Sequence, residues 1–74
     1  MSETYYLLDA RAAYDVGKAI VCETGTDKEV CKTANDGTHG KDAIPCRLVS
    51  GQFEPMWHWF CGKAQKWIPR CRED

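Results

Sequence analysis

Apolar and polar residues alternate along five stretches of the chain, and a period of two is typical of β-strands. The stretches are residues 4–10, 18–25, 43–50, 56–61 and 66–71. In the fourth stretch, alternation puts Trp57 and Trp59 on one face of the strand. The opposite face carries Met56 and Phe60, so both faces of this strand are apolar.

One helix is predicted between the second and third strands, over residues 27–36. Thr26 and Glu29 have the spacing of a capping box, in which the hydroxyl and the carboxylate bind backbone N–H groups at the helix start. Gly37 is suited to the left-handed conformation that ends many helices. The apolar residues of the helix fall on one face, which would pack against a sheet. They are Val30, Cys31 and Ala34.

The order β-β-α-β-β-β predicts an α+β fold: a small, mostly antiparallel sheet of about five strands with one short helix on one face. A chain of 74 residues has room for a single domain, residues 1–74. Residues 51–55 are expected to form a turn, and Pro45 to lie near a strand start or at an edge. One helix covers only one face of the sheet, so we expect a surplus apolar patch that binds a protein or a second copy.

Composition and charge exclude several classes of protein. With 43% hydrophobic and 28% charged residues, the chain resembles neither a disordered nor a collagen-like sequence. The net charge of −1 is too small for a polybasic nucleic-acid binder, so direct nucleic-acid binding is the less favoured interpretation. Residues 1–37 carry seven acidic and four basic side chains, and residues 38–74 carry four acidic and six basic ones. This two-sided distribution suits docking on a protein.

The start of the chain, MSETYYLLDARAAYD, has neither the basic residues nor the apolar run of a signal peptide. The sequence does not approach the ~20 consecutive apolar residues of a membrane span, so we expect no membrane association. We therefore expect the protein to reside in the cytoplasm. In that reducing compartment the five cysteines, an odd number, are expected to be free and mostly buried thiols.

Residues able to bind metal or to catalyse reactions are present, but their spacing is unfavourable. Structural zinc ligands usually come in close pairs, whereas the cysteines form no CxxC motif and the two histidines are far apart. His58 and Cys61, three positions apart on a strand, would point to opposite faces. No P-loop, GxSxG, HExxH or GxGxxG motif occurs. We therefore expect no enzymatic activity, no metal and no cofactor.

Basic residues and a tryptophan gather toward the C-terminus and form the candidate partner-binding site. Its members are Arg47, Lys63, Lys66, Trp67, Arg70 and Arg72. The arginines are expected to contribute most, because a planar guanidinium pairs with carboxylates or phosphates through two hydrogen bonds. A competing acidic surface lies in the first half of the chain. It consists of Asp9, Asp15, Glu23, Asp27 and Glu29.

The element order and the stretch MWHWFCGKAQKWIPRC, residues 56–71, resemble those of small phage-encoded anti-CRISPR proteins. The stretch pairs a tryptophan hairpin with a further tryptophan and a cysteine, and it is most similar to inhibitors of type I surveillance complexes. The resemblance implies a stoichiometric, non-enzymatic inhibitor in the cytoplasm of a bacterial host cell. Such an inhibitor would dock on a CRISPR effector complex and block target DNA without a cofactor. The resemblance assigns no binding residues.

Three other functions remain open. A small nucleic-acid-binding module would use Trp67 and the Lys/Arg-rich hairpin on an open sheet, and its binding would weaken steeply with salt. A redox or zinc domain would use the cysteines. A homo-oligomer, such as a homodimer, would bury the surplus apolar patch by self-association.

Overall fold

The computed structural model describes residues 3–69, and within that range it contains two antiparallel sheets and one α-helix. The elements are β1 (Tyr5–Asp9), β2 (Val21–Gly25), α1 (Asp27–Asp36), β3 (Ala43–Val49), β4 (Gln52–Pro55), a 3₁₀ turn (Trp57–Trp59), β5 (Phe60–Cys61) and β6 (Lys66–Trp67). Four strands form one sheet in the order β2-β1-β3-β4, and β5 pairs with β6. The predicted small α+β fold with one helix and an antiparallel sheet is confirmed.

Helix α1 begins and ends where the sequence predicts, because local contacts satisfy both of its ends. The Thr26 hydroxyl accepts a hydrogen bond from the Glu29 backbone N–H at 3.3 Å, and the Glu29 carboxylate accepts from the Thr26 N–H at 2.9 Å. Gly37 closes the C-terminus at a φ of 75°. Val30 and Cys31 are buried, so the apolar face of the helix packs against the sheet.

One face of the four-stranded sheet packs against α1. Leu7 of β1 is fully buried on this face. The Thr33 hydroxyl of α1 donates a hydrogen bond to Glu23 of β2, which ties the helix to the edge strand. Trp59 packs edge-on against Tyr5, with 4.9 Å between the ring centroids, and is 2% exposed. The largest buried side chain of the core therefore comes from the 3₁₀ turn.

The β1–β2 connection, residues 10–20, packs on the opposite face of the sheet and covers part of it. The Phe53 N–H of β4 donates to the Tyr14 carbonyl at 2.9 Å, and Asp15 forms a β-bridge with the same strand. The connection therefore crosses the sheet from β1 to the outer edge of β4. Cys46 on this face is fully buried, and Tyr14 packs against the buried core. Part of this apolar face is therefore buried within the domain, but Leu48 on the same face remains 45% exposed, so the predicted surplus patch is only partly covered.

The predicted fourth strand, residues 56–61, is wrong for most of its length. Only Phe60–Cys61, at its end, forms a strand. Gln52–Pro55, most of the predicted turn, is strand β4 instead. The chain reverses earlier, at Ser50 and Gly51, whose φ angles are 50° and 82°. Because the chain reverses earlier than predicted, β4 occupies residues 52–55, and Trp57 and Trp59 lie outside the four-stranded sheet.

Met56 marks the point where the chain leaves the four-stranded sheet. Its N–H donates to the Pro45 carbonyl at 2.9 Å. The backbone N and O of a strand residue point toward the same neighbouring strand. The Pro45 nitrogen therefore points toward Met56, where β4 has already ended. The absence of an N–H on proline thus removes no hydrogen bond of the sheet. The 3₁₀ turn then directs Trp59 into the core and leaves Trp57 57% exposed. The two tryptophans therefore do not share a face as predicted: Trp59 lies in the core and Trp57 faces solvent.

The C-terminal hairpin joins β5 and β6 through residues 62–65. The Gln65 N–H donates to the Cys61 carbonyl at 2.8 Å, and Gln65 takes the left-handed conformation at a φ of 55°. Strand β6 is shorter than the predicted stretch 66–71, of which residues 70 and 71 lie outside the described range. The predicted hairpin is therefore present with a shorter second strand.

Replacing Trp59 with alanine should destabilise the domain far more than replacing Trp57. Removing a buried aromatic ring costs about 3–5 kcal/mol, which matches the whole stability of many domains of this size. Trp57→Ala removes an exposed ring and should cost less than about 1 kcal/mol. Urea denaturation followed by circular dichroism measures both losses. Similar losses for the two variants would contradict the distinct environments of these side chains.

Candidate functional site

Three aromatic rings meet where the C-terminal hairpin packs beside the start of β3. The centroids of Trp57 and Trp67 are 5.9 Å apart, and Phe60 meets Trp67 edge-on at 5.2 Å. These three residues are called the aromatic cluster. Trp57 is 57% exposed and Phe60 is 38% exposed, so two large apolar side chains of the cluster face solvent side by side.

Trp67 is the fixed member of the aromatic cluster and is only 9% exposed. The Asn35 side chain of α1 donates through Nδ2 to the Trp67 carbonyl and accepts from the Trp67 N–H through Oδ1, both at 2.7 Å. On the other side, the Ile68 N–H donates to the Trp59 carbonyl at 2.8 Å. Hydrogen bonds to the backbone therefore hold β6 from both sides. Trp67 forms a fixed base for the exposed rings of Trp57 and Phe60.

Two clefts adjoin the aromatic cluster and share Lys41, Phe60 and Trp67. The first has a volume of about 470 Å³ and is also lined by Ala10, Asp42, Ile44 and Trp57. The second has a volume of about 410 Å³ and is also lined by Ala34, Asn35, Ala43, Gln65 and Lys66. Concave apolar surfaces with a few polar groups are typical of ligand-binding and partner-binding sites. Each cleft can accept a side chain from a binding partner.

Positive charge dominates around the two clefts. Lys41 lines both clefts and Lys66 lines the second, and neither forms an ion pair with a carboxylate within residues 3–69. Asp42 lines the first cleft, and its carboxylate lies 3.5 Å from Nε of Arg11. Arg11 also donates hydrogen bonds to Asp9, which hold the pKa of that carboxyl below its ordinary value. Arg11 is thus shared between two carboxylates, whereas Lys41 and Lys66 have no carboxylate partner within residues 3–69.

A third cleft, of about 440 Å³, lies between α1 and residues 67–69. Lys28, Lys32 and Lys66 line it together with Asp36. It extends the positive surface along the helix. Neither exposed ring of the aromatic cluster lines this cleft, so the candidate site consists of the aromatic cluster and the first two clefts.

The structure brings together part of the partner-binding site that the sequence predicts. Lys66 and Trp67 both line the second cleft. Lys63 is exposed in the hairpin turn, outside both clefts. Arg47 of β3 forms an ion pair with Glu54 at 2.8 Å and lines neither cleft. The remaining candidates lie outside the described residues, and they are Arg70 and Arg72.

Each residue of the competing acidic surface accepts a hydrogen bond from within the domain. Asp27 and Glu29 accept from backbone N–H groups at the start of α1. Glu23 joins β2 to the helix. Asp9 binds a neighbouring arginine, and Asp15 binds a glutamine of β4. These carboxylates stabilise the fold, which makes the acidic surface the weaker candidate for partner binding.

Lys41, Trp57 and Phe60 belong to the site although the sequence analysis does not select them. Alternation puts Trp57 and Phe60 on opposite faces of a strand, whereas the 3₁₀ turn brings both rings against Trp67. Lys41 lies in a polar loop, and only the packing of this loop beside the hairpin brings it to the clefts. The signal available in the sequence is the high aromatic content of residues 56–67.

The four described cysteines are free thiols. Cys31 and Cys46 are buried, and burial raises the pKa of each to about 12. They are therefore protonated, and poor nucleophiles, at neutral pH. Within residues 3–69 no group of three or more His, Cys, Asp or Glu side chains is arranged to hold a metal ion.

Within residues 3–69, no helix combines the length and apolar character needed to cross a membrane. Comparison of the chain with protein-family models, curated proteins and solved structures found no match. Function is therefore inferred from the geometry and chemistry of the site.

The Asn35→Leu substitution should loosen the C-terminal hairpin. Leucine can neither donate to the Trp67 carbonyl nor accept from the Trp67 N–H, so both bonds are lost at a cost of about 1–3 kcal/mol. Amide hydrogen exchange, measured by NMR, should become faster at Trp67 than in the parent protein. Asp36→Ala, at an exposed neighbouring position, is the matched control and should leave this exchange unchanged. Unaltered exchange at Trp67 in the Asn35 variant would contradict the role given to this side chain.

Cysteine alkylation should divide the thiols into two groups. In a Cys71→Ser background, Cys22 and Cys61 are half-buried and should react in the folded protein. Cys31 and Cys46 should stay unmodified at about pH 8, because both are buried and protonated. Mass spectrometry after alkylation, with and without denaturant, measures the difference. Equal labelling of all four thiols under native conditions would be inconsistent with this core.

Proposed function

We propose that the chain is a small, non-enzymatic protein-binding inhibitor that docks on its partner through the aromatic cluster. The observation that carries the proposal is the exposure of Trp57 and Phe60 on a rigid base, Trp67, beside two clefts. Tryptophan is prominent among the residues that dominate binding energy in protein interfaces. The exposed rings therefore act as the anchors of the interface.

The rigidity of the surface favours binding. Side chains and loops that become ordered on association reduce affinity, so a surface that is already ordered loses less. Here Asn35 and the hairpin hold the base of the cluster before any partner arrives. The flanking charges of Lys41 and Lys66 then contribute to the choice and orientation of the partner.

The partner that we propose to test first is a type I CRISPR surveillance complex. The support for this finer proposal is the resemblance of the sequence of residues 56–71, and of the element order predicted from the sequence, to small anti-CRISPR proteins. In the structure, Trp57–Trp59 of this stretch forms a 3₁₀ turn instead of a strand. In this proposal the chain is a stoichiometric inhibitor that docks on the protein–RNA complex and blocks target DNA. The basic and aromatic surface would bind groups that are acidic or apolar, and no cofactor takes part.

A single-stranded nucleic-acid module is the second candidate function. It is favoured by the exposed Trp57 ring beside Lys41, because a base can stack on an aromatic face while cations contact the backbone. Against it, Trp67 is largely buried and only two lysines line the clefts around the cluster. Phosphate-driven binding would depend steeply on salt, whereas binding anchored by aromatic side chains would depend on it less.

Affinity capture from bacterial lysate carrying a type I CRISPR system tests the proposal. The tagged protein should retain the effector complex after nuclease treatment, because the contact is with protein. Trp57→Ala should abolish capture, since it removes the exposed anchor while sparing the core. Leu48→Ala is the matched control: Leu48 is 45% exposed, but it lies at the far end of β3 and lines neither cleft.

The other outcomes of this capture are equally informative. Nucleoproteins that disappear with nuclease would replace the inhibitor with the nucleic-acid module. Recovery of the chain alone would favour a homo-oligomer. Equal loss of capture in the Leu48 and Trp57 variants would show that the aromatic cluster is not the docking surface.

A further inference from the structure

The docking surface consists of the aromatic cluster and the first two clefts, and Lys41 lies at its centre. It lines both clefts, together with Phe60 and Trp67. Neighbouring contacts hold its loop in place: the Ala10 N–H donates to the Asp42 carbonyl at 2.7 Å, next to Lys41 in the chain. The exposed ammonium group of Lys41 therefore extends from an anchored backbone at the boundary of the two clefts.

Lys66 provides the second positive charge of the surface. It lines the second cleft, and in the hairpin it lies opposite Cys61 of the neighbouring strand β5. The following residue is held by Asn35, so the backbone at Lys66 is also anchored. Within residues 3–69, Lys66 and Lys41 have no carboxylate partner, and both charges are available to a binding partner.

Positive groups outnumber negative ones around the clefts. Asp42 is the acidic residue among the described residues that line these two clefts, and it shares Arg11, 3.5 Å away, with Asp9. The three cations Arg11, Lys41 and Lys66 exceed these two carboxylates by one charge, although the chain as a whole carries a net charge of −1. A partner that complements this surface combines apolar groups with negative charge.

We infer that the docking surface binds an acidic segment of a protein whose apolar side chains enter the two clefts while its carboxylates contact Lys41 and Lys66. This inference rests on the proposed function and adds the chemistry of the partner. The clefts, of about 470 and 410 Å³, offer apolar walls on which aliphatic or aromatic side chains can pack. The two lysines give carboxylates defined positions beside them.

A protein segment fits the surface better than a nucleic acid does. Strong binding to nucleic acid requires a track of cations along the phosphate backbone. The two clefts offer two lysines, and the further cations of the third cleft, Lys28 and Lys32, lie along α1 beside Asp36 rather than around the exposed rings. The Trp67 ring is covered by Trp57 and Phe60, which leaves Trp57 as the more exposed stacking face. Clefts with apolar walls and few cations favour a ligand that inserts apolar side chains and carries carboxylates beside them.

Peptide binding to the full chain tests the inference. The probes are two synthetic peptides of equal length with the same leucine anchors, one flanked by glutamates and the other by lysines, and an oligothymidylate. Isothermal titration calorimetry should detect the glutamate peptide at Kd values of about 1 mM or tighter. Lys41→Glu should weaken this binding about tenfold, a change typical of a lost charge contact at an interface. The same variant should gain affinity for the lysine peptide.

Lys18→Glu is the matched control, because it makes the same change in net charge at an exposed position that lines neither cleft. It should leave binding of the glutamate peptide within about twofold of the parent. An equal loss in the Lys18 and Lys41 variants would overturn the inference, because net charge alone would then explain binding. Equal affinity for the two peptides, or no binding of the glutamate peptide, would overturn it as well.

The remaining outcomes separate this inference from the proposed function. Tighter binding of the oligothymidylate with a steep dependence on salt would replace the acidic segment with nucleic acid. Capture of the partner that is lost in Trp57→Ala but kept in Lys41→Glu would leave the docking function standing and overturn only the acidic chemistry. Loss of capture in both variants, with retention in Lys18→Glu, is the result that supports both.

Discussion

The hydrogen bonds between the Asn35 side chain and the backbone of Trp67 join the C-terminal hairpin to the rest of the domain. The hairpin has only two residues in each strand, and such a short ladder has little stability alone. Asn35 acts as a third strand would, by accepting from an N–H and donating to a C=O of the same residue. The orientation of Trp67, and with it the surface formed by Trp57 and Phe60, depends on this contact.

The core reaches its size by using segments that are not regular secondary structure. A domain of 74 residues has little apolar surface to bury, so each large side chain matters. Trp59 fills the helix side of the sheet from a 3₁₀ turn, and residues 10–20 cover part of the opposite side. Among the described tryptophan, tyrosine and phenylalanine rings, the most exposed belong to Trp57 and Phe60, at the hairpin end of the domain.

Acidic and basic side chains have different roles in the domain. Acidic side chains such as Glu29 and Glu23 are engaged in capping the helix and joining it to the sheet. Lys41 and Lys66 have no such role among the described residues, and they lie around the aromatic cluster. A chain with almost no net charge thus presents a positive and apolar face, which suits recognition of a protein by complementary charge more than general attraction to phosphate.

Features whose causes lie within a few residues can be predicted from the amino-acid sequence. The limits of α1 follow from the capping box of Thr26 and Glu29 and from Gly37, all of which act over one helical turn. The first strands and the α+β class follow from alternation and element order. Residues 56–61 are the exception, because their alternation is equally compatible with a strand and with a turn that buries one ring.

Contacts between distant segments select which tryptophan is buried and which residues form the site. Trp59 enters the core because Tyr5, distant in the sequence, offers a packing surface, and because the Met56 N–H is taken by the Pro45 carbonyl. Lys41 joins the aromatic cluster through the packing of a loop whose own sequence carries no such signal. Such contacts depend on burial and on hydrogen bonds between separate elements, and local preferences contain no information about them.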